Sequence, residues 1–478
     1  MVHASSRFRP SVTAGIAAHG NRNAFSRDRA VTGPGPPIRF SFAGGVWGIV
    51  ALMSFWGPLD ISDTASVMTV GLDWRVAVKL AISGLAALLA FLGWCTLPEV
   101  RRGAMTLPAL AIGGILCLAL LATPTAISEA SLPTTMVNAV FLLFMVTAVS
   151  VLELPQLARA LLTGVTASMA LALFLYVFVP AYGVFPETLG GGVVINRLGA
   201  VAHPNGTARS MAIGLLLTGY LFRRRELAGR YAVPLAGCFV LALYLAWSRT
   251  AFLAGGLAMV ALYADRLATR TGVVVLATGM LAVFVAVTAT FLRGKEDEMT
   301  RSVLAKASKS GDVQEITSGT GRSDIWSEVA RLIAQRPIIG HGFNAAPILL
   351  LDYSQSTHNA VLHATLVAGI GGGVLMACLL LWNASWLVRT DELLIRGAIA
   401  FLFVACLTED TVLETFPGPA TLLWLTCCFH PLLVRIRSTE HVSFGAAPAN
   451  PAWGLPPKTD RTARPEPGIP PGGPAVSR

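Results

Sequence analysis

The chain has 478 residues, of which 54% are hydrophobic and 13% charged, with a mean hydropathy of +0.64. That balance excludes a soluble multidomain protein of ordinary composition. The formal net charge of +10 comes mostly from arginines beside apolar runs and in the N-terminal stretch, so it argues for topology and anionic lipid contact, not nucleic acid.

Residues 1–39 carry Arg7, Arg9, Arg22, Arg27, Arg29 and Arg39 but lack the apolar core and small-residue cleavage site of a secretory signal. They read as a disordered basic cytoplasmic tail that stays attached. From residue 40 to 437 apolar runs of about 17–25 residues recur, the length a helix needs to cross hydrocarbon. The predicted fold is an all-α polytopic membrane protein of about twelve transmembrane helices, at 40–57, 75–97, 105–122, 133–152, 157–179, 208–222, 231–247, 251–265, 272–292, 359–388, 397–413 and 419–434. Arg101 with Arg102, Arg159, Arg223 to Arg225 with Arg230, Arg266 with Arg270, Arg389 with Arg396, and Arg435 with Arg437 fall in alternate loops. The positive-inside rule assigns those loops and both termini to the cytoplasm, with Arg75 and Lys79 as local exceptions. All seven cysteines lie in predicted spans, so no disulfide framework or thiolate zinc site is implied. Residues 438–478 are dense in Pro and Gly and read as a disordered cytoplasmic tail.

Two segments then face outward, 180–207 and the large loop 293–358. In the first, Arg197, His203, Asn205 and, just beyond, Arg209 are polar teeth on a Gly/Pro-rich loop. The plain alternative is a flexible connector at Gly190-Gly191-Gly192 and a turn at His203-Pro204-Asn205-Gly206. Further on, Ser248-Arg249-Thr250 sits between two apolar runs. An arginine costs about 2.5–3.5 kcal/mol at mid-membrane, which an anion would offset, because a guanidinium fork matches phosphate oxygens; snorkelling to headgroups is the alternative. In the large loop, Ile325, Val329, Leu332 and Ile333 predict a short amphipathic helix with Ser323 or Asp324 as its N-cap, ending near Arg336-Pro337. Arg322 at its mouth adds its charge to backbone N–H groups and suits phosphate, or is a solvated loop charge. Gly340-His341-Gly342 reads as a turn in which the histidine serves loop geometry. His358 opens the tenth span with Thr357 as its N-cap, where an imidazole can take a proton near neutral pH; satisfaction by backbone and headgroups is the bland reading. His363 reads as packed. Glu409 and Asp410, late in the eleventh span, are candidate partners for Arg249 or Arg322 or contacts for an acceptor.

Taken together, His203-Pro204-Asn205, Ser248-Arg249-Thr250, Gly321-Arg322 with Trp326 four residues on, Pro337-Ile338-Ile339-Gly340-His341-Gly342 and Thr357-His358-Asn359 stand in an order and spacing that resemble the O-antigen ligase and polymerase superfamily of bacterial envelope glycan assembly. The likeness covers roughly 180–370 by motif and 40–437 by topology. It implies a polyprenyl-pyrophosphate-linked glycan as donor, transferred to a sugar hydroxyl of a saccharide or lipid A–core acceptor at the outer face of the inner membrane, with no cofactor or metal. It also implies pyrophosphate handling by Arg249 and Arg322 and activation of the acceptor by His358. Arg197, His203, Asn205, Arg209, Trp326, Asn359 and Glu409 are then substrate-binding candidates. Two other classes fit about twelve spans: a multispan glycan or lipid transporter or flippase, and a different polyprenyl-dependent glycosyltransferase using Asp60 or Asp63, acids that also read as hydrated loop charges.

Overall fold

A computed structural model describes residues 37–57, 74–188, 194–199, 203–267, 322–351 and 356–445. The N-terminal tail, Asp60 and Asp63, Gly190-Gly191-Gly192, the span at 272–292, the large loop as far as Gly321 and the tail beyond residue 445 lie outside the described residues.

The long helices are α1 (Pro37–Trp56), α2 (Trp74–Thr96), α3 (Leu107–Ala122), α4 (Ser131–Val151), α5 (Leu154–Phe178), α6 (Pro204–Arg223), α7 (Gly229–Ala246), α8 (Arg249–Leu262), α9 (Arg322–Gln335), α10 (Ala360–Trp386), α11 (Leu393–Thr408) and α12 (Pro419–Gly445). Among the described residues six helices, α2, α3, α4, α5, α7 and α10, are long and apolar enough to cross a membrane. Apolar parts of α1, α8, α11 and α12 are shorter. The amphipathic α9 was expected, and α6 carries Asn205, Thr207, Arg209 and Ser210 in its first turns. Large apolar side chains such as Leu85, Leu88 and Phe91 on α2 and Val233, Val240 and Leu241 on α7 are exposed, the surface that hydrocarbon would cover. The protein is therefore a helical membrane protein.

Small residues set how closely the helices meet, as packing rather than hydrophobicity drives association in lipid. A Cβ at Gly164 of α5 would lie 2.2 Å from the Ala51 carbonyl oxygen of α1, so glycine lets those two helices touch backbone to backbone. α8 packs on α6 and α11, and α10 on α3 and α11. α10 is broken at Ala368 and at Gly369, where φ is 70° and ψ −174°. The break is filled by 337–342: His341 N–H donates to the Leu366 carbonyl at 2.7 Å, Gly342 N–H to Val367 at 3.0 Å, and Ile370 N–H to Pro337 at 2.8 Å. Backbone groups that the broken helix leaves open are thus satisfied by the inserted turn, as a membrane core demands.

Several expectations need correction. The fold is not all-α: Val184–Thr188 (β1) and Val194–Leu198 (β2) form an antiparallel hairpin in the segment predicted to face outward, with Phe185 opposite Arg197. The spacing around the three glycines hid two short strands whose partners are each other. α11 ends at Thr408 rather than 413, so Glu409 and Asp410 leave the helix. α12 continues to Gly445, eight residues into the segment read as a disordered tail. α9 begins at Arg322 itself, so neither Ser323 nor Asp324 is its cap.

Candidate active site

The hairpin and the start of α6 form one wall. Arg197, on β2, is only 2% exposed. Its guanidinium donates to the Ala246 carbonyl at 2.9 Å, to Glu187 Oε2 at 2.5 Å, to Asn205 Oδ1 at 2.9 Å and to the Trp247 carbonyl at 3.3 Å. Glu187 sits diagonally across the hairpin from Arg197, with Glu187 opposite Ile195, a spacing that brings long side chains on one face together. Arg209, one turn into α6, donates to Thr411 Oγ1 and Glu414 Oε1, both at 3.1 Å. His203 is the N-cap of α6, its Nδ1 accepting the Asn205 backbone N–H at 3.3 Å, and its ring lies 5.8 Å from that of Phe185.

The centre is Glu409, 4% exposed, one residue past the end of α11 and in extended conformation. Its Oε1 accepts from Arg322 at 3.2 Å and from Asn205 Nδ2 at 3.4 Å. Its Oε2 accepts from His358 Nδ1 at 3.0 Å. A carboxylate can only accept, so His358 carries a hydrogen on Nδ1, and in the neutral ring the lone pair is on Nε2. His358 adopts φ 50°, and the following Asn359, not Thr357, caps α10, accepting from Val361 and Leu362 N–H at 2.9 and 3.0 Å. The left-handed turn at His358 lets the chain enter the helix while its imidazole turns to Glu409. Trp326 Nε1–H donates to the Thr357 carbonyl at 3.1 Å, so α9 braces the peptide just before the histidine.

Burial works against ionisation of Glu409, but the hydrogen bond and charge of His358, with Arg209, outweigh it and hold the carboxyl below its ordinary value, Asp410 pulling the other way. Asp410 is likewise pulled down against its burial by His363, His358 and Arg209. For His203, shielding by surrounding protein pushes the pKa from 6.5 down to about 4; Glu409 opposes the fall, while Arg197, Arg209 and His358 add to it. The residue keeps an exposed surface, but the charge would have to sit amid those cations.

Of the residues singled out in the sequence, His358, Arg322, Glu409, Asn205 and Arg197 form one continuous network. Arg322 proves to be the cation on Glu409. Arg249 opens α8 directly after Ala246, Trp247 and Ser248, and Trp247 turns left-handed at φ 49°; two of those carbonyls bind Arg197, so the turn bearing Arg249 is anchored to the network by its backbone. His341 is buried, with Nε2 2.9 Å from the Leu332 carbonyl oxygen, in the inserted turn as expected. His363 is buried beside Asp410, Nδ1 to Oδ2 3.8 Å. Sequence reasoning missed Glu187 as the partner of Arg197 and Thr411 as a partner of Arg209. The alternation of Glu187 and Arg197 within two short strands was the one available signal. Among the described residues no three His, Cys, Asp or Glu side chains group as a metal site requires.

The arrangement defines a helical membrane protein whose site couples a histidine and an arginine through one buried carboxylate. Residues 234–377 match the family described as O-antigen ligase. That segment holds Arg249, Arg322 and His358, whereas Arg197, His203 and Glu409 lie outside it. The chain is also similar to a general O-oligosaccharyltransferase of Acinetobacter baylyi, 29% identical over 235 residues. The similarity covers 45% of this chain and 39% of that relative, so the chain matches about two fifths of its length. No solved structure matches the chain.

Proposed function

We propose that the protein transfers a glycan from a polyprenyl-pyrophosphate carrier to a sugar hydroxyl during bacterial envelope polysaccharide assembly, at the outer face of the inner membrane. The observation that carries this reading is the shared carboxylate: Glu409 accepts from His358 on one oxygen and from Arg322 on the other. His358 is the base. With Nδ1–H held by Glu409, Nε2 receives the proton of the acceptor hydroxyl as its oxygen attacks the anomeric carbon. The bond from that carbon to pyrophosphate breaks, and the leaving group departs with the electron pair on the polyprenyl carrier. Arg322, from the mouth of α9, and Arg249, from the start of α8, neutralise the charge that grows on its oxygens. Glu409 keeps Arg322 and His358 in register before the donor arrives and stabilises the imidazolium that forms.

The family match and the similarity to a protein named for oligosaccharide transfer to oxygen support the reaction class. The acceptor separates two activities. Lipid A–core oligosaccharide makes the protein a ligase, and a second lipid-linked repeat unit makes it a polymerase. The test is purified protein reconstituted with a lipid-pyrophosphate glycan and each acceptor in turn, with elongated acceptor and released polyprenyl pyrophosphate as readouts. Both products are expected with one acceptor and neither with His358→Ala. Full activity in His358→Ala removes the base assignment, and transport of the lipid-linked glycan without transfer replaces the enzyme reading.

A further inference from the structure

In their neutral forms the two histidines near Glu409 take opposite tautomers. His358 meets a carboxylate through Nδ1, so Nδ1 bears the hydrogen, and the neutral ring holds its lone pair on Nε2. His203 meets a backbone N–H through Nδ1. An amide N–H can only donate, so here Nδ1 supplies the lone pair and the hydrogen is on Nε2, on the opposite edge of an exposed residue. Local structure imposes both assignments: His203 caps α6 and folds back on its own first turn, while His358 is swung out by its left-handed backbone before Asn359 takes over as cap. The ring of His203 is further fixed by Phe185 on the hairpin. It belongs to the same cluster, because Asn205, whose N–H it receives, also binds Glu409, and Glu409, Arg197, Arg209 and His358 all act on it electrostatically.

We infer that His203 is a second substrate-contacting residue, whose Nε2–H donates a hydrogen bond to an anionic oxygen of the carrier pyrophosphate while His358 handles the acceptor proton. The assignment rests on the proposed transfer reaction and extends it by dividing the work: one imidazole can only accept at its outer nitrogen, the other only donate. A neutral donor suits this place. Shielding by the surrounding protein disfavours an imidazolium here, with Arg197, Arg209 and His358 adding to it against the pull of Glu409, whereas an N–H needs no change of protonation as charge develops on the leaving group. No proton is transferred in this contact, so the balance of the reaction is unaltered.

The experiment separates capping from contact. Asparagine and serine are both strong N-caps, so His203→Asn and His203→Ser keep the helix start and remove the distal N–H. The probe is polyprenyl pyrophosphate itself, binding to wild-type and both variants in nanodiscs, alongside transfer assays and thermal midpoints. The expected result is unchanged midpoints, pyrophosphate binding weaker by about 10- to 100-fold, a fall of about 100-fold in kcat/KM for the donor, and an unaltered KM for the acceptor. Wild-type binding in either folded variant overturns the inference, and so does a shift confined to acceptor KM. If wild-type binds polyprenyl pyrophosphate but transfers nothing, the transfer reading fails and the contact is judged on binding alone. If wild-type does not bind it, both fall.

Discussion

Arg197 and Arg322 border the same cluster and are held in opposite ways. Arg197 spends its guanidinium on two backbone carbonyls, Asn205 and Glu187, and is almost wholly buried. Arg322 enters from the first turn of α9 and shares Glu409 with a histidine. The first arrangement ties the hairpin, the α7–α8 turn and α6 into one wall. The second leaves a carboxylate balanced between two groups that an anionic substrate and a proton can each draw on. On the proposed reaction, how a buried charge is divided among partners, rather than its burial, separates scaffold from chemistry.

The largest test of that contrast is His358→Ala, expected to lower kcat by about 100- to 10,000-fold with little change in thermal midpoint, measured by glycan transfer in proteoliposomes. Arg197→Ala should do the reverse. Removing one member of a buried pair costs about 3–5 kcal/mol, so the thermal midpoint should collapse; a folded, inactive Arg197→Ala protein would move this arginine to the chemical side. Gly369→Ala probes the inserted turn. Its backbone lies in a region only glycine occupies readily, at about 1–3 kcal/mol for other residues, and the new Cβ would lie 2.2 Å from the Ile338 carbonyl oxygen; loss of folded protein on size exclusion is the expected outcome.

Acidification should act through His203 with a definite sign. Its pKa is about 4 in the fold against 6.5 for the free group, so the unfolded chain binds more protons between those values and stability falls as pH drops from about 6.5 to 4. The fall in midpoint across that window should shrink in His203→Asn; an identical slope removes the linkage. The smallest effect is Trp326→Phe, which deletes the hydrogen bond to Thr357 and should cost about 0.5–1.5 kcal/mol with a modest loss of transfer.

Much of the candidate site was visible in the chain because its residues are expensive where they stand. Arg322 at a helix mouth and His358 at the start of an apolar run follow from charge, hydropathy and capping rules that act within a few residues. The same local rules misassigned details that neighbours decide: Thr357 looked like the cap, but Asn359 points its oxygen at the next two amides, and Glu409 looked like the end of a span until α11 stopped at Thr408. The hairpin escaped because each strand is only five residues long and is specified by the other.

The sequence by itself determined a helical membrane protein, the order of the arginine and histidine motifs and the apolar periods that bury one face of α9. Only the tertiary structure decided that Glu409 is the carboxylate joining His358 to Arg322, that Arg197 belongs to Glu187 and the α7–α8 turn, and that the two histidines hold opposite tautomers. The physical reason is range. Hydropathy and capping act over one or two helical turns, whereas Glu409 lies 87 residues from Arg322 and 204 from Asn205 along the chain. At such separations only the packing of α6, α9, α10 and α11 selects which charges meet.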